Sequence, residues 1–320
     1  MSNFFQLIVN EQIKTYIRKS TWSMYIILAL IIIGLGLMSN FYQGTVTTYE
    51  EDTWRQTLQE ENQQIKEDMK KEMENNEMLK GFSSSQIERN NFHLENDIMP
   101  AEYDAWQFVS ENEFLLSLVT LFTIIVAAGI IANEFKWGTI KLLLIRPISR
   151  TKILLSKYIS VLLFALWTLL FVLVLTFIVG AIFFGINSFD PHVVISQGGS
   201  FEHVSVISQI VSGYGFQLVT LLMMATFALM ISAIFRQSSL AIGTAIFLMF
   251  AGTSIVGFFA DKAWSKYILF ANTNLDQHVT GTPFMEDMTL GFSITVLVVY
   301  YVIFLAVTWM FFTKRDVAGH

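Results

Sequence analysis

The side chains best suited to contact a charged partner lie in one short segment, NEFKWGTIKLLLIRPISRTKILLSK, residues 133–157. This segment separates two of the most apolar runs of the chain. Its six bases are Lys136, Lys141, Arg146, Arg150, Lys152 and Lys157, and its one acid is Glu134. Such a concentration of positive charge beside apolar runs is suited to anionic lipid headgroups or to acidic groups on a partner protein.

Motifs that would give the chain a catalytic site of its own are absent from the sequence. No glycine is followed by lysine, so the phosphate-binding loop G-x-x-x-x-G-K-[ST] cannot form. The motifs H-E-x-x-H and G-x-S-x-G do not occur, and there is no cysteine. The pattern of Asp190, His192, Glu202 and His203 is more typical of an ordinary polar loop than of a metal site. We therefore expect that the chain is not an enzyme and binds neither a metal nor a cofactor.

The composition indicates an integral membrane protein. The chain is 53% hydrophobic and only 14% charged, whereas a soluble domain has about 25% charged residues. Six stretches without Asp, Glu, Lys, Arg or His are long enough to cross roughly 30 Å of hydrocarbon. They are Trp22–Phe41, Phe114–Ala132, Ser160–Phe184, Phe216–Phe235, Ser239–Ala260 and Leu290–Phe312. The four prolines fall outside these stretches, as expected of uninterrupted helices.

The distribution of charge predicts the orientation in the cell membrane. Of the 20 bases and 26 acids, twelve bases and three acids fall on the side that holds both termini and residues 133–157. The opposite side holds the other eight bases and twenty-three acids. Because cytoplasmic loops carry the excess of Lys and Arg, we expect a multi-pass protein with both termini in the cytoplasm.

The segments outside the six spans complete an all-α membrane architecture. Residues 1–20 predict a cytoplasmic amphipathic helix at the membrane interface, and 21–42 the first span. Residues 43–112 predict an external helical subdomain, with a break at Gly81–Ser85. Residues 113–320 hold the other five spans, with an external interfacial or re-entrant helix around Trp264–Phe270.

A short cytoplasmic helix at about 135–145, within 134–152, is the main functional prediction. Pro147 ends it, and Ser149 or Thr151 is expected to cap the helix that leads into the third span. Simple anchoring on the cytoplasmic side explains the bases of this segment. It does not explain their arrangement with Glu134, Gly138 and Pro147, which favours a helix that a partner protein can push.

This segment resembles the permease subunits of ABC-2 type (type V) ABC exporters. The resemblance is carried by Glu134, Gly138–Thr139, Leu142–Leu144, Pro147–Arg150 and Ile153–Lys157. An N-terminal interfacial helix, six spans and cytoplasmic termini agree with the plan of that family. The external insert of about seventy residues is a departure from its minimal members.

The resemblance implies a coupling helix that docks on a separate ATP-binding subunit. Two permease copies, expected as a homodimer, and two ATPase copies would form the exporter, with ATP and Mg on the partner. The implied docking residues are Glu134, Phe135, Trp137, Gly138, Thr139, Ile140, Leu143, Arg146, Pro147 and Arg150. Phe135, Trp137, Ile140 and Leu143 would supply contacts, while Arg146 and Arg150 would orient the helix. The expected cargo is apolar or amphipathic, and the other partner is membrane lipid rather than nucleic acid.

A function of a different class stays open on the residues alone. The external subdomain could bind a peptide, which would make the chain a non-transporting membrane sensor or immunity protein. Recovery of an ATPase with the chain separates the two functions.

Overall fold

The described part of the protein is mostly helical and includes a two-stranded antiparallel sheet. A computed structural model describes residues 4–43, 49, 51–71, 77–139, 148–189, 191–197, 200–235, 237–281, 283–285 and 287–314. The helices in these ranges are α1 (Phe4–Tyr16), α2 (Lys19–Gln43), α3 (Trp54–Lys71), α4 (Glu77–Glu95), α5 (Ala105–Glu111), α6 (Leu115–Lys136), α7 (Arg150–Phe184), α8 (Val206–Phe235), α9 (Ser238–Phe258), α10 (Leu269–Asn272) and α11 (Leu290–Lys314). The strands β1 (His192–Gln197) and β2 (Ser200–Ser205) lie between α7 and α8.

Six of the described helices are long and apolar enough to cross a membrane, and they confirm the six predicted spans: α2, α6, α7, α8, α9 and α11. α7 and α8 each begin ten residues before the predicted start. With 35 residues, α7 is about 52 Å long and extends well beyond a bilayer core of roughly 30 Å. The predicted cap of α7 is confirmed at Ser149, whose side chain accepts a hydrogen bond from the backbone N–H of Lys152.

Hydrogen bonds made by uncharged side chains, either to the backbone or to one another, connect spanning helices. α6 and α8 are the most buried of the six. Between them, Ser232 Oγ donates to the carbonyl of Ala128 at 2.6 Å, and Gln217 Nε2 donates to Thr120 Oγ1 at 2.8 Å. Each bond satisfies a polar group that could not reach water, so these helices pack closely without an intramembrane charge.

The bundle has two ends, which differ in character. At the basal end, α6 ends and α7 begins, and Arg150 Nη1 donates to the carbonyl of Thr313 near the end of α11 at 2.8 Å. At the distal end, α6 begins and α7 ends, and there lie α5 and the strand pair. α5 packs closely on α7 at Gly180, which has no side chain. A Cβ at this position would lie 3.0 Å from Ala105 Cα, too near for comfortable packing.

The predicted break at Gly81–Ser85 is wrong, because α4 continues through it. A glycine inside a helix costs about 1 kcal/mol relative to alanine. Pairing with α3 offsets such a cost: Asn62 Nδ2 donates to Asn91 Oδ1 at 3.0 Å, and Asn90 Nδ2 donates to Asn62 Oδ1 at 3.1 Å. Packing between α3 and α4 therefore outweighs the low helix propensity of the Gly81–Ser85 stretch.

The hairpin corrects the all-α prediction. β1 and β2 pair antiparallel, with His192 opposite Ser205 and Gln197 opposite Ser200. The Val-Val-Ile run of β1 and the Gly-Gly pair at 198–199 are strand and hairpin signals in the sequence. They were overlooked because the segment was interpreted as a polar loop.

The single helix predicted around Trp264–Phe270 is also corrected. Short 3-10 turns cover Ser265–Tyr267 and Leu275–His278, with α10 between them. The side chain of Asn272 donates to the carbonyls of Lys266 and Ile268, at 2.8 and 2.9 Å. These bonds satisfy carbonyls that a continuous helix would have paired along its backbone.

Candidate functional site

A cluster of four charged side chains lies inside the protein at the basal end. Lys157 Nζ is 2.7 Å from Glu11 Oε2 and 3.0 Å from Glu134 Oε1. Lys14 Nζ is 2.8 Å from Glu11 Oε1 and 3.1 Å from Glu134 Oε1. Lys157 is 0% exposed, while Glu11 and Glu134 are 5% and 8% exposed. Two bases and two acids therefore balance each other in a place that is largely closed to water.

The N-terminal helix supplies half of this charge cluster because its polar face packs on α7. Gln12 Nε2 donates to the carbonyl of Ser160 at 2.7 Å, and Ser160 Oγ donates to the carbonyl of Ile8 at 3.2 Å. The opposite, apolar face of α1 is exposed, with Phe5 at 72% and Ile13 at 50%. That exposed face is consistent with the predicted position at a membrane interface, which stays a prediction.

Lys14 holds its charge within the cluster. Burial lowers its pKa, but the hydrogen bonds and attraction to Glu11 and Glu134 outweigh burial and leave the pKa raised. Glu134 also accepts a hydrogen bond from the hydroxyl of Thr139. Each of the two acids, Glu11 and Glu134, pairs with both bases.

The predicted docking residues begin directly beside this cluster. Glu134 and Phe135 belong to the last turn of α6, rather than to a separate helix. Trp137 caps α6 and is 60% exposed, and Gly138 follows with a φ of +69°. The guanidinium of Arg18 lies over the Trp137 ring, 5.4 Å from its centroid. An aromatic side chain is thus presented at the surface, on a turn that glycine makes possible.

The remaining docking residues are divided between the described structure and the residues outside it. Arg150 starts α7 and binds the end of α11 through Thr313. Ile140, Leu143, Arg146 and Pro147 lie outside the described residues, as does most of the helix predicted at 135–145. The other docking residues lie together in the structure: Glu134, Phe135, Trp137, Gly138 and Thr139. Glu134 belongs to the charge cluster, and Thr139 donates a hydrogen bond to Glu134.

The charge cluster joins three elements of the fold through ion pairs. In the described parts of the chain, no group of three His, Asp or Glu side chains could hold a metal ion. Removing an ion from water costs several kcal/mol, and only well-formed pairing recovers this cost. The ion pairs therefore favour one arrangement of α1, the end of α6 and the start of α7, so these elements should move together.

The sequence analysis counts Lys157 among the six bases of the segment and does not predict its burial. One signal could have found it. Ile153, Leu154, Tyr158 and Val161 are buried at helical spacing around it. Lys157 thus occupies an apolar position of α7, where a base requires acidic partners.

A large cavity at the distal end is a second candidate site. Its volume is about 1020 Å³, and it lies between the α3–α4 pair, α5 and the strand β1. The cavity is lined by side chains of both charge signs, Glu61, Asp68, Glu102, Glu111 and Arg89, and by the imidazole of His93. We call it the distal cavity.

Glu113, just before α6, gives a pH-dependent prediction at the distal end. Burial, and then the negative charge of Asp276, raise the pKa of Glu113 to about 7, and its Oε1 is buried without a hydrogen-bond partner. Between pH 4.5 and 7 the folded state keeps a proton that the unfolded state loses, so stability falls as pH rises through this window. Glu113→Gln should therefore raise the melting temperature by about 2–4 °C at pH 8 and much less at pH 5.

Tryptophan fluorescence melts in detergent at the two pH values would measure this difference. The exposed acid Glu202 supplies a matched control as Glu202→Gln, which should leave both melting temperatures unchanged. An equal stabilisation by Glu113→Gln at both pH values would contradict the titration of Glu113.

Comparison with known proteins places the chain in a family. The model of a family described as "Protein of unknown function (DUF2705)" matches residues 78–318. The chain belongs to this family. This DUF2705 protein is also 42% identical to "Uncharacterized protein YhcI" of Bacillus subtilis (strain 168) over 319 residues, which cover 98% of this chain and 99% of the relative.

A second relative bears on the location of this DUF2705 protein. It is 30% identical to "Uncharacterized membrane protein YdbK" of Bacillus subtilis (strain 168) over 213 residues, or 66% of this chain and 82% of the relative. Six long apolar helices and a relative named as a membrane protein agree: this DUF2705 protein is a multi-pass membrane protein. The family match includes Glu134 and Lys157 of the charge cluster.

Proposed function

We propose that this DUF2705 protein is the transmembrane permease subunit of an ATP-binding cassette exporter. It would move an apolar or amphipathic substrate with energy from ATP that a separate subunit hydrolyses. The observation that carries this proposal is the charge cluster, which connects the start of the docking segment to α1 and α7. The basal end would then face the cytoplasm, with both termini on that side.

The contacts of Glu134 suggest how the work of a partner reaches the spans. A subunit that pushes on Trp137 and the residues after it would displace the end of α6. Glu134 is bound to Lys157 of α7 and to Lys14 of α1, so their displacement would follow. α7 is one helix of 35 residues, which can carry a displacement at the basal end toward the distal end.

An apolar cavity agrees with the substrate class. It has a volume of about 600 Å³, lies between α8 and α11, and is open on one side. Its wall is made mainly of aliphatic and aromatic side chains, including Phe216, Val219, Met223, Ile294 and Leu297. An apolar or amphipathic molecule would gain about 25 cal/mol for each Å² of apolar surface buried there.

Purification from native membranes without a crosslinker tests the proposal. We expect a subunit with a phosphate-binding loop to co-purify and the complex to hydrolyse ATP. Mass spectrometry would identify the subunit, and a Trp137→Ala variant should reduce its recovery. If the chain is recovered alone and transports substrate without any nucleotide hydrolysis, the proposal is wrong.

The absence of cysteine permits a direct test of orientation. Lys141→Cys should react with a membrane-impermeant maleimide only when the cytoplasmic face is accessible. Glu202→Cys, at the distal end, should react from the outside of intact cells. Labelling of Lys141→Cys from outside would remove the basis for cytoplasmic docking.

A non-transporting sensor or immunity protein is the second candidate function, and the distal cavity is the observation that favours it. At about 1020 Å³ the cavity is large enough for a peptide, and it lies under the external helices predicted to bind one. Peptide binding combined with no recovery of an ATPase would favour the sensor over the permease.

A further inference from the structure

The distal cavity has an uncompensated negative charge. Among the residues that line it, four are carboxylates and one is a guanidinium: Glu61, Asp68, Glu102, Glu111 and Arg89. The hydrogen bonds found for these carboxylates go to uncharged partners, as from Tyr103 to Glu111 at 2.7 Å and from Asn187 to Glu102 at 3.2 Å. None of the ion pairs in the described part of the chain involves them.

The histidine of this wall does not change the balance at neutral pH. Burial lowers the pKa of His93, and its Nδ1 is 2.9 Å from the carbonyl of Ile98. The ring therefore stays neutral at pH 7. A cavity with four carboxylates and one guanidinium attracts a positively charged ligand.

One wall of the distal cavity is the edge of a strand. Val193, Val194 and Ile195 of β1 line it, whereas no residue of β2 does. Successive side chains of a strand point to opposite faces, so three consecutive lining residues indicate that the cavity meets β1 along its edge. Within the described structure β1 pairs only with β2. Along Val193–Ile195, where β1 lines the cavity, its other edge therefore offers N–H and C=O groups to a third strand.

We propose that the distal cavity binds an extended cationic peptide, which adds to β1 along Val193–Ile195 as a third strand. Backbone hydrogen bonds to β1 would hold the peptide, and the carboxylates would select its basic side chains. A residue in a strand occupies about 160 Å³. This is the product of a rise of about 3.3 Å per residue, a spacing of about 4.8 Å between neighbouring strands and a spacing of about 10 Å between packed sheets. A cavity of about 1020 Å³ thus has room for about six residues, which is enough to pair with Val193–Ile195 and to place side chains near the carboxylates. This site goes beyond the proposed transport function and does not depend on it.

Four capped hexapeptides test the two parts of the inference on the full chain in lipid nanodiscs. The parent alternates lysine and valine, and a second peptide has glutamate for each lysine. Two N-methylated derivatives of the parent, which are isomers of each other, carry the backbone methyl groups on the odd residues or on the even residues. Isothermal titration calorimetry should show binding of the parent and at least about 10-fold weaker binding of the glutamate peptide.

The methylated isomers separate strand addition from simple charge attraction. A strand that pairs along one edge uses the N–H groups of alternate residues. One isomer should therefore lose at least about 10-fold in affinity, because several backbone hydrogen bonds are removed, while the other resembles the parent. Equal binding of both isomers and the parent would overturn strand addition, and equal binding of the glutamate peptide would overturn the charge selection.

Variants of the cavity wall locate the site. Glu102→Gln with Glu111→Gln keeps the hydrogen-bonding geometry but removes two charges, and it should weaken the lysine peptide about 10-fold. Asp97→Asn is the matched control, because Asp97 pairs with Arg55 and does not line the cavity. Unchanged affinity in the double variant, with an unchanged melting temperature, would overturn the assignment to this cavity. Binding without any ATPase would support the site whatever the outcome for transport.

Discussion

Replacing Lys157 with methionine should lower the free energy of unfolding by about 3–5 kcal/mol. Methionine fits the space of the lysine stem, but the substitution removes a base that is 0% exposed. Glu11 and Glu134 would then share Lys14, which is partly exposed, and one negative charge would stay uncompensated. Equilibrium unfolding in mixed micelles, followed by tryptophan fluorescence, would measure the loss.

Two comparisons show whether charge balance is the cause. Lys152→Met removes an exposed base from the same helix and should change stability by less than about 0.5 kcal/mol. Glu134→Gln added to Lys157→Met leaves one acid and one base, so the double variant should be more stable than Lys157→Met alone. Additive destabilisation in the double variant would show that the four groups are not coupled.

The same double variant separates a structural role of the cluster from a transmitting one. Its stability should recover in part, but the ion pair between α6 and α7 is gone. On the proposed mechanism, ATP hydrolysis by the partner would then continue with little transport. Recovery of both stability and transport would mean that the cluster only holds the fold together.

The spanning helices could be predicted because hydrophobicity decides them residue by residue. A stretch such as Leu290–Phe312 contains no charged residue, and its transfer into hydrocarbon does not depend on distant partners. The cap at Ser149 was predictable for a similar reason, since a helix after Pro147 needs an acceptor for its first N–H groups. Both features follow from the chemistry of a few adjacent residues.

The charge cluster could not be predicted in the same way because its partners are far apart in sequence. Glu11 and Lys157 are separated by 146 positions, and Lys14 and Glu134 by 120. Counting bases by loop gives the predicted orientation, but such a count does not distinguish Lys157 from its neighbours. The burial of Lys157 depends on the packing of α1 against α7, which no local pattern specifies.

At the distal end, by contrast, local signals are present in the sequence. One of them was given too little weight and another too much. The Gly-Gly pair after a Val-rich run predicts a hairpin, yet the segment was interpreted as loop. The Gly81–Ser85 stretch was interpreted as a break, yet α4 runs through it because α3 and α4 pair through Asn62 and its partners. In both cases the helix or strand next to the segment determined the outcome.

The second large effect is expected at the turn that follows α6. Trp137→Ala with Gly138→Val should reduce transport at least about 10-fold while ATP hydrolysis by the partner persists. Trp137 is 60% exposed, so its loss removes a contact surface rather than a core side chain. Gly138 has a φ of +69°, where a β-branched residue is strained by about 1–2 kcal/mol or more. The chain beyond it would leave α6 in a different direction, and the docking segment would no longer meet the partner.

Single substitutions at glycine distinguish backbone direction from side-chain bulk. Among the described residues, a Cβ on Gly138 would meet no atom within 4 Å, so we expect the effect of valine to arise from the backbone conformation. Gly138→Asn should therefore retain most of the transport, because asparagine tolerates a positive φ better than valine does. Gly243→Val, at a position of α9 that is equally open and lacks a positive φ, should leave coupling unchanged. If the Trp137 and Gly138 double variant transports normally and still retains its ATPase, force does not enter the spans through this turn, and the ion pairs of Glu134 with Lys14 and Lys157 serve only to anchor α1.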